Sequence, residues 1–406
     1  MKAKIIIGIT ILLIILYTLS KISYKKPTYT IVPNTMCINN CNLENFIHAK
    51  GTKLYDKNGN QIKLRGVNLG GWLLWEGWIW GKGFTSESKI YNDLVELTSE
   101  KDTENFRNSI YKNFITEQDI KKISELNFNM IRVPVNYEVF ENVNKIKRID
   151  NLISWCEKYN IYIVLTMHAT PGGQSTLFTA NPGKTLLWDS KEYQKQTVNV
   201  WRQVAERYKD KTIVAGYDLI NEPDTKNPDT LLKLYNDIIK NIREVDSNHL
   251  IIIEGNKFAK DFSIFNKPYT YNQMYSFHMY TWFRDNREEE LSRYIKMANE
   301  QNLPMWAGEF GENKLDLIAS TLDLYENKNI AGWSFWTWKK AENKYPYLYK
   351  IKITDAWKKV IYYIAGSNKK PSKEETLKGM QEFIESIKIQ NNVLNNETLK
   401  ILTKPL

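Results

Sequence analysis

Two glutamates, Glu222 and Glu309, each follow an apolar run that is typical of a buried strand. The run at 213–220 is apolar almost throughout, which is usual for parallel strands covered by helices. Because Pro223 has no N–H to donate to a strand ladder, the strand is predicted to end at 221–222. Two facing carboxylates can hydrolyse a glycosidic bond, one protonating the leaving oxygen and the other attacking the sugar or activating water. Taken alone, Glu222 could equally cap the next segment or pair with a surface lysine.

Polar, ionisable and aromatic side chains also stand at the ends of other strand-like runs. Active sites of parallel barrels are assembled from the carboxyl ends of several strands, whereas random strand ends would seldom be so rich in such groups. We therefore expect these side chains to share one site with the two glutamates. They are Asn68, Arg132, His168, Asn221, Glu254, His278, Tyr280 and Trp336.

The strand-like runs alternate with amphipathic helical patterns along the chain. One helix is predicted to open at Thr116 with a capping box, and others have apolar residues at helical spacing over 149–156, 198–208, 231–242 and 315–325. Eight such alternations predict an α/β fold of the (β/α)₈ TIM barrel type, in which the fifth helix, at 258–265, is short. The predicted strands are 62–69, 129–135, 161–168, 214–221, 250–255, 274–280, 304–310 and 330–338.

Both ends of the barrel carry additional segments. A turn signal at 57–60 between β-prone runs predicts an N-terminal hairpin over 47–64. A final helix is expected over 351–366, and 371–406 is predicted to form a helical extension packed on the barrel. The catalytic barrel is therefore predicted to comprise 46–406.

The first residues have the pattern of an export signal. An apolar run at 5–19 lies between Lys2 and Lys4 on one side and Lys21 on the other, and no small-x-small cleavage site follows it cleanly. Residues 1–24 are therefore interpreted as a signal anchor or a signal peptide, and 25–45 as a linker. This places the protein outside the cell or in the cell envelope, with possible membrane anchoring by residues 5–20.

The amino-acid composition indicates which partners and which kinds of binding site this chain is expected to have. The net charge of +10 is spread along the chain as lysines, which argues against dedicated nucleic-acid binding. Cys156 falls at a core position of a helix, Cys37 and Cys41 could form a small disulfide loop, and no residues have metal-ligand spacing. The aromatic share of 13% supplies rings that can stack on sugars, although most are expected to be core.

Several short motifs occur in order, each at a predicted strand end, and together they resemble the signature of glycoside hydrolase family 5, the cellulase-type retaining glycosidases. The resemblance covers about 46–406. Within the family, 65–73 and Glu76 resemble a branch of exo-β-1,3-glucanases whose bacterial relatives are often called endoglucanases, so the linkage cleaved stays open. Thr166 departs from the Asp that relatives usually carry. The motifs are Arg132-Val133-Pro134, His168, Asn221-Glu222-Pro223, His278-Met279-Tyr280, Gly308-Glu309-Phe310-Gly311 and Phe335-Trp336.

The resemblance implies hydrolysis by double displacement, with Glu309 as the nucleophile and Glu222 as the acid/base. Arg132 and Tyr280 would favour the ionised form of Glu309. A neighbouring negative charge and partial burial would raise the pKa of Glu222 and keep a proton available for the leaving group.

The other site residues are interpreted as substrate-binding, and neither a cofactor nor a metal is expected. Asn221 is suited to the sugar 2-hydroxyl, and Trp336 to the floor of the central subsite. The histidines could instead be core residues, and at most half of the four tryptophans at 72–80 need face the cleft. The predicted substrate-binding residues are Arg132, His168, Asn221, His278, Tyr280, Trp336 and Glu76.

The leading hypothesis is a monomeric retaining β-glycosidase that hydrolyses β-1,3- or β-1,4-glucan. One alternative is an enzyme of the same family acting on another β-linked polysaccharide or glycoside, such as mannan. The other is a non-catalytic carbohydrate-binding barrel, since a fold alone does not guarantee activity. The presence of both Glu222 and Glu309 favours an enzyme.

Overall fold

The computed structural model describes residues 42–282, 285–328, 330–341, 344–367 and 369–404. The predicted export segment, most of the linker, and Cys37 with Cys41 lie outside these ranges. Within them, no helix is both long enough and apolar enough to cross a membrane.

A small antiparallel sheet precedes the barrel and consists of β1 (His48–Lys50), β2 (Lys53–Tyr55) and β3 (Gln61–Ile62). The predicted turn joins β2 to β3, where Leu54 pairs with Ile62. The hairpin is therefore confirmed, and β1 extends it to three strands. Ile47 and Leu54 are buried in a cluster with Leu64 and Met130, so this sheet covers the amino-terminal end of the barrel.

Eight parallel strands close into a barrel, which confirms the predicted fold class. Each strand pairs with its neighbours in chain order around the ring, and almost every strand residue is buried between the barrel interior and the helices. The strands are β4 (Leu64–Asn68), β5 (Met130–Asn136), β6 (Tyr162–Ala169), β7 (Val214–Asp218), β8 (Leu250–Glu254), β9 (Gln273–Met279), β10 (Met305–Gly311) and β11 (Gly332–Trp336).

Most strand boundaries differ from the sequence-based prediction by one to three residues, and two of the differences bear on the site and the small sheet. Ile62 belongs to the small sheet, so β4 begins two residues later than predicted, at Leu64. The fourth barrel strand, β7, ends at Asp218 rather than at Asn221. Glu222 has a positive φ of 44°, and its backbone N–H donates to a side chain instead of a neighbouring strand, so the chain leaves the ladder before this residue.

Helices surround the barrel at the positions that were predicted from apolar residues at helical spacing. The predicted capping box at Thr116 is present, with Asp119 as its partner. The fifth barrel helix is reduced to a turn at Asn256–Ala259, in keeping with the short interval in the sequence. The helices are α1 (Glu87–Leu97), α2 (Glu100–Asn113), α3 (Glu117–Glu125), α4 (Tyr137–Glu141), α5 (Lys147–Tyr159), α6 (Lys191–Tyr208), α7 (Pro228–Arg243), α8 (Arg287–Gln301) and α9 (Leu315–Asn327).

The C-terminal segment contains both helices and short strands. Its elements are β12 (Lys339–Lys340), β13 (Tyr349–Lys350), α10 (Asp355–Ile364), α11 (Lys373–Ser386), β14 (Val393–Leu394) and α12 (Asn396–Leu402). The predicted extension is therefore two helices joined through a strand that pairs with β13. Short 3₁₀ helices lie at Leu43–Asn45, Phe178–Ala180, Leu186–Trp188 and Ile389–Asn391. Cys156 is free and buried in α5, which agrees with its predicted core position.

Candidate active site

Arg132 of β5 lies at the centre of the site and has no exposed surface. Its Nε donates to Asp218 at 2.9 Å, and its Nη1 donates to Glu309 at 2.5 Å. Burial lowers the pKa of Arg132, but Asp218, Glu309 and Glu254 raise it by more, so the guanidinium stays charged. All five N–H donors of the guanidinium are directed at protein acceptors, so Arg132 holds the neighbouring side chains in place. The remaining acceptors are Asn68 at 3.0 Å, Asn221 at 2.7 Å and Glu254 at 3.0 Å.

Glu309 lies on β10 and is 4% exposed. Arg132 donates to its Oε1, and the Tyr280 hydroxyl donates to its Oε2 at 2.8 Å. Burial and the nearby Glu222 charge raise the pKa of Glu309 above its ordinary value, although the charges of His278 and Arg132 and the Tyr280 hydroxyl oppose that shift. Since both oxygens already accept hydrogen bonds, these contacts favour the carboxylate form that the sequence interpretation assigned to Glu309.

Glu222 lies in the loop after β7, with a side chain that is 13% exposed. Its backbone N–H donates to Glu254 Oε2 at 2.7 Å, and its Oε1 lies 2.8 Å from His278 Nδ1. One carboxylate oxygen of Glu222, one of Glu309 and a ring nitrogen of His278 all lie within 4.8 Å of one another. The two glutamates predicted to form a pair therefore do face each other at the carboxyl end of the barrel.

The structure adds two buried carboxylates, Asp218 and Glu254, to the roles predicted from the sequence. Glu254 stood at a predicted strand end without a role, whereas Asp218 was hidden inside the apolar run before Glu222. Both have no exposed surface and bind Arg132. Burial and the Glu254 charge raise the pKa of Asp218 to about 7. Thr166, the residue that departs from the family pattern, donates its hydroxyl to Asp218 at 3.1 Å.

His278 and His168 are both buried, but their charges differ. Burial lowers the pKa of His278, yet Glu254, Glu309 and Glu222 raise it well above its ordinary value. Burial and the charges of Arg132 and His278 hold the pKa of His168 well below its ordinary value, so this ring is neutral. The protonated form of His278 is therefore favoured by the carboxylates around it. His168 instead packs against an aromatic ring, that of Trp336.

Trp336, at the end of β11, has His168 stacked on it at 5.5 Å with an interplanar angle of 14°. Trp78 is stacked with Trp336 at 6.5 Å and 16°. The Trp78 indole donates to Glu76 Oε2 at 2.7 Å, and burial raises the pKa of Glu76 well above its ordinary value. Glu76 Oε1 has no hydrogen-bond partner among the described residues. The predicted residues Trp336, His168 and Glu76 therefore lie together.

The four tryptophans at 72–80 divide between the core and the site, which agrees with the expectation that at most half of them face the cleft. Trp72, Trp75 and Trp80 are at most 1% exposed and pack in the core, where Trp80 contacts Phe106 and Phe383. Only Trp78 of the four is placed beside Trp336. The backbone turns so tightly here that a Cβ on Gly71, whose φ is +78°, would lie 2.7 Å from Ile79.

Gln174 is a further buried residue that the sequence did not single out. Its Nε2 donates to the backbone oxygens of His168 at 2.7 Å and Asn221 at 2.9 Å. Its Oε1 accepts from both the N–H and the hydroxyl of Thr170. One amide side chain thus joins the ends of two neighbouring strands. No short motif marks a glutamine with this function.

A metal ion would have three candidate ligands among the described residues: Glu222, His278 and Glu309. Both oxygens of Glu309 already accept hydrogen bonds from Arg132 and Tyr280. The raised pKa of His278 also favours the protonated ring, which cannot ligate through a nitrogen that carries a proton. The donor set therefore favours a carboxylate pair working without a metal.

The family profile described as Cellulase (glycosyl hydrolase family 5) matches residues 95–342, a range that includes both facing glutamates. The chain belongs to glycosyl hydrolase family 5. It is a glycoside hydrolase with the (β/α)₈ barrel predicted from its sequence. The family resemblance inferred from the motifs is confirmed.

Relatives of this family 5 chain have several specificities. A β-xylosidase from Phanerodontia chrysosporium is 30% identical over 338 residues, which cover 72% of this chain and 71% of that protein. A probable glucan 1,3-β-glucosidase A from Aspergillus fumigatus is 23% identical over 357 residues, which cover 70% of this chain and 84% of that protein. The rutinosidase from Aspergillus niger shares the fold, with a TM-score of 0.55, 19% identity, and coverage of 69% of this chain and 90% of that structure.

Proposed function

We propose that this family 5 enzyme hydrolyses β-1,3- or β-1,4-linked glucan with retention of configuration. The observation that carries the proposal is the distance of no more than 4.8 Å between oxygens of Glu222 and Glu309. Carboxyl groups of retaining glycosidases lie about 5 to 5.5 Å apart, and those of inverting enzymes about 6.5 to 9.5 Å apart to admit a water. The spacing supports direct attack by one carboxylate.

Glu309 is the nucleophile in this proposal. The Arg132 guanidinium and the Tyr280 hydroxyl hold its two oxygens, so the carboxylate is oriented before the substrate arrives. It attacks the anomeric carbon while the bond to the leaving oxygen breaks, which gives a covalent glycosyl ester. In the second step water attacks the same carbon and releases Glu309.

Glu222 is the acid/base. It gives its proton to the leaving oxygen in the first step and takes one from the attacking water in the second. Its position is set from both sides, because Glu254 holds its backbone N–H and His278 Nδ1 contacts its carboxylate. Asn221, whose side-chain oxygen accepts from Arg132, keeps its amide N–H group available for a sugar hydroxyl.

The sugar ring is assigned to the space beside Trp336, His168 and Trp78. Flat aromatic faces bury the apolar face of a pyranose, while convergent polar groups select its hydroxyls. Glu76, with an unpartnered Oε1 on a carboxyl group that burial keeps protonated, is the candidate hydrogen-bond partner of a sugar hydroxyl in this part of the site. The named activity of the A. fumigatus relative supports glucan, and that of the P. chrysosporium relative makes a β-xyloside the second candidate.

The proposal is tested by the products of the wild-type enzyme. We expect hydrolysis of laminarin, mixed-linkage glucan or carboxymethylcellulose, and the first product should appear as the β-anomer in ¹H NMR. Mannan and aryl β-xyloside are the comparison substrates. An α-anomeric first product would refute retention, and hydrolysis of mannan or xyloside alone would replace glucan as the substrate.

We further propose that residues 1–24 direct export, that 25–45 form a linker and that the barrel acts as a monomer outside the cell or in its envelope. The support is the apolar run at 5–19 flanked by lysines. A variant that starts at residue 42 should be soluble, monomeric by light scattering and as active as the full chain. Export is wrong if the full-length protein remains in the cytoplasmic fraction of its host.

A further inference from the structure

Lys340 is a buried lysine next to the aromatic part of the candidate active site. It lies on β12, and only 1% of its surface is exposed. Lysines are almost never fully buried unless they are paired, because taking an ammonium group out of water is costly. The preceding residue, Lys339, binds Asp119 and two backbone carbonyls in the core. Lys340 has different partners, since successive side chains of a strand point to opposite faces.

The ammonium group of Lys340 joins two loops at the carboxyl end of the barrel. Its Nζ lies 3.2 Å from Oε1 of Glu312, which directly follows β10 and is 7% exposed. The same Nζ lies 4.0 Å from the ring centroid of Trp78, in the loop after β4. An ion pair and a cation–π contact are both stronger where water is excluded, so they offset part of the cost of burying Lys340.

The backbones that carry these three side chains are also fixed. The N–H of Ala341 donates to the carbonyl of Ile79 at 2.8 Å, which joins the end of β12 to the loop of Trp78. Glu312 has a positive φ of 49°, and its carbonyl accepts from the Trp282 indole at 3.0 Å. A positive φ is uncommon for a residue other than glycine and persists where the surrounding structure imposes it, often at functional sites. The position of Glu312 is therefore imposed by its neighbours.

Trp78 connects Lys340 to Glu76. The Trp78 indole that Lys340 contacts also donates to Glu76 Oε2 at 2.7 Å. Burial raises the pKa of Glu76, and the charges of Glu309 and Glu312 add to that shift. Lys340 therefore supplies a compensating positive charge beside a group of acids at the mouth of the barrel.

We propose that Lys340 is a positioning residue for substrate binding, which holds the indole of Trp78 in place and, through the indole N–H, the carboxyl group of Glu76. The inference rests on the proposed function and deepens it, because Trp78 and Glu76 belong to the part of the site assigned to the sugar ring. Lys340 itself does not contact the substrate. It restricts the side chains that do, so less conformational freedom is lost when the sugar binds.

The test compares Lys340→Met with wild type on laminari- and cello-oligosaccharides of two to six units. Methionine keeps most of the length of the side chain but not its charge. KM should rise about tenfold while kcat changes less than about twofold, because Trp78 and Glu76 contact the sugar in the ground state and in the transition state alike. A lysine that only stabilises the fold would leave KM unchanged.

A double variant separates positioning from stability. Lys340→Met leaves the buried Glu312 without this cation, so it should also lower the free energy of unfolding. Combining Lys340→Met with Glu312→Gln removes both charges and should recover most of that loss, while KM stays about tenfold above wild type. In a Trp78→Ala background, Lys340→Met should raise KM less than about twofold further, because Lys340 acts through Trp78.

Lys158→Met is the matched control. Lys158 also pairs with a glutamate, at 2.7 Å, and lies 5.3 Å from the ring centroid of Tyr159, but it is exposed on α5. This variant should leave KM unchanged. A KM within about twofold of wild type in Lys340→Met, or recovery of the wild-type KM in the double variant, would overturn the positioning role.

Failure of the proposed function gives a different result, namely that wild type hydrolyses none of these glucans. KM is then measured on the β-linked oligosaccharide series that wild type does hydrolyse. If wild type hydrolyses no such series, the dissociation constant of the same oligosaccharides from titration calorimetry replaces KM. Either measurement decides the role of Lys340 by the same comparison of variants.

Discussion

At the residue scale, the site is a group of buried carboxylates held by two cations. Arg132 contacts Asp218, Glu254 and Glu309, while His278 lies within 3.6 Å of Glu254 and Glu309. Buried charges are costly unless they are paired and hydrogen-bonded, so removing one partner leaves the others uncompensated. Substitution of one of these residues is therefore expected to change the protonation states of the others as well as their positions.

We predict that Glu309→Ala and Glu222→Ala fail in different ways. Glu309→Ala lacks the attacking carboxylate and should not be labelled by an activated 2-fluoro sugar in mass spectrometry. Glu222→Ala should still be labelled by substrates with good leaving groups, and azide should rescue it by forming a β-glycosyl azide. Labelling of Glu309→Ala, or an α-configured azide product, would contradict these assignments.

The substitution Glu254→Gln should change the pKa of His278 and the position of Glu222, two of the residues that Glu254 contacts. Because Glu254 raises the pKa of His278, its neutralisation should lower that pKa, which NMR titration of the imidazole measures. Glutamine keeps only one oxygen acceptor, so either the Glu222 N–H or the Arg132 Nη2 group loses its acceptor and faces an NH2 group instead. This should reduce kcat by about 10- to 100-fold, with a smaller change in KM. Asp246→Asn is the control, since Asp246 binds His249 at the opposite end of the barrel at 2.6 Å. An unchanged His278 titration would disprove the coupling.

At the element scale, one carboxylate of helix α9 binds several donors of the barrel, in addition to the packing of the buried face of the helix. Glu326 accepts from Arg65 through two bonds of 2.8 and 2.7 Å, from Lys63 at 2.8 Å and from the Trp333 indole at 3.1 Å. These donors belong to or adjoin β4 and β11, the strands beside this helix. Burial opposes the ionised form, but the hydrogen bonds lower the pKa of Glu326 to about 2.

We predict that Glu326→Gln lowers the free energy of unfolding by about 1 to 2 kcal/mol at pH 7. Since the folded-state pKa is depressed, this stabilisation is present above the ordinary value of 4.5 and is lost as pH falls toward about 2. Urea unfolding of wild type and variant should converge over that interval. Glu300→Gln removes an exposed acid whose lysine partner is 4.0 Å away, and it should have little effect at any pH.

At the scale of the whole molecule, the C-terminal extension is part of the barrel core. Phe383 of α11 is fully buried and stacks on Trp357 of α10 at 4.2 Å and 13°. It also contacts Trp80, whose loop continues from the strand β4 toward the site. Lys339 Nζ is buried with Asp119 and donates to the Ile387 carbonyl. The extension therefore packs against the loop that follows β4 and carries Trp80.

Phe383→Ala should lower the free energy of unfolding by about 3 to 5 kcal/mol, because it leaves a cavity among buried rings. Leu377→Ala on the same helix, where the side chain is 37% exposed, should lower it far less. Chemical denaturation of the two variants measures the difference. Equal and small losses would contradict the packing of Phe383 among these buried rings.

The sequence by itself determined the barrel and the two facing glutamates. Hydrophobic periods of strands and helices are local, and eight alternations have few compact arrangements, so the ends of the strands were known to meet. The motifs then placed Glu222 and Glu309 at that meeting point. The small departures depend on partners from other strands, as where the Glu222 N–H after β7 donates to the Glu254 side chain.

Only the tertiary structure decided which groups touch. Asp218 was hidden in an apolar run, Gln174 had no motif, and Glu254 had no role until β8 was placed beside β7. The tryptophans at 72–80 could not be divided between core and site from spacing, because their burial depends on Phe106 and Phe383, which are distant in the chain. Local periodicity determines which face of an element is buried, whereas a hydrogen-bond partner depends on the residue that the closed barrel brings opposite.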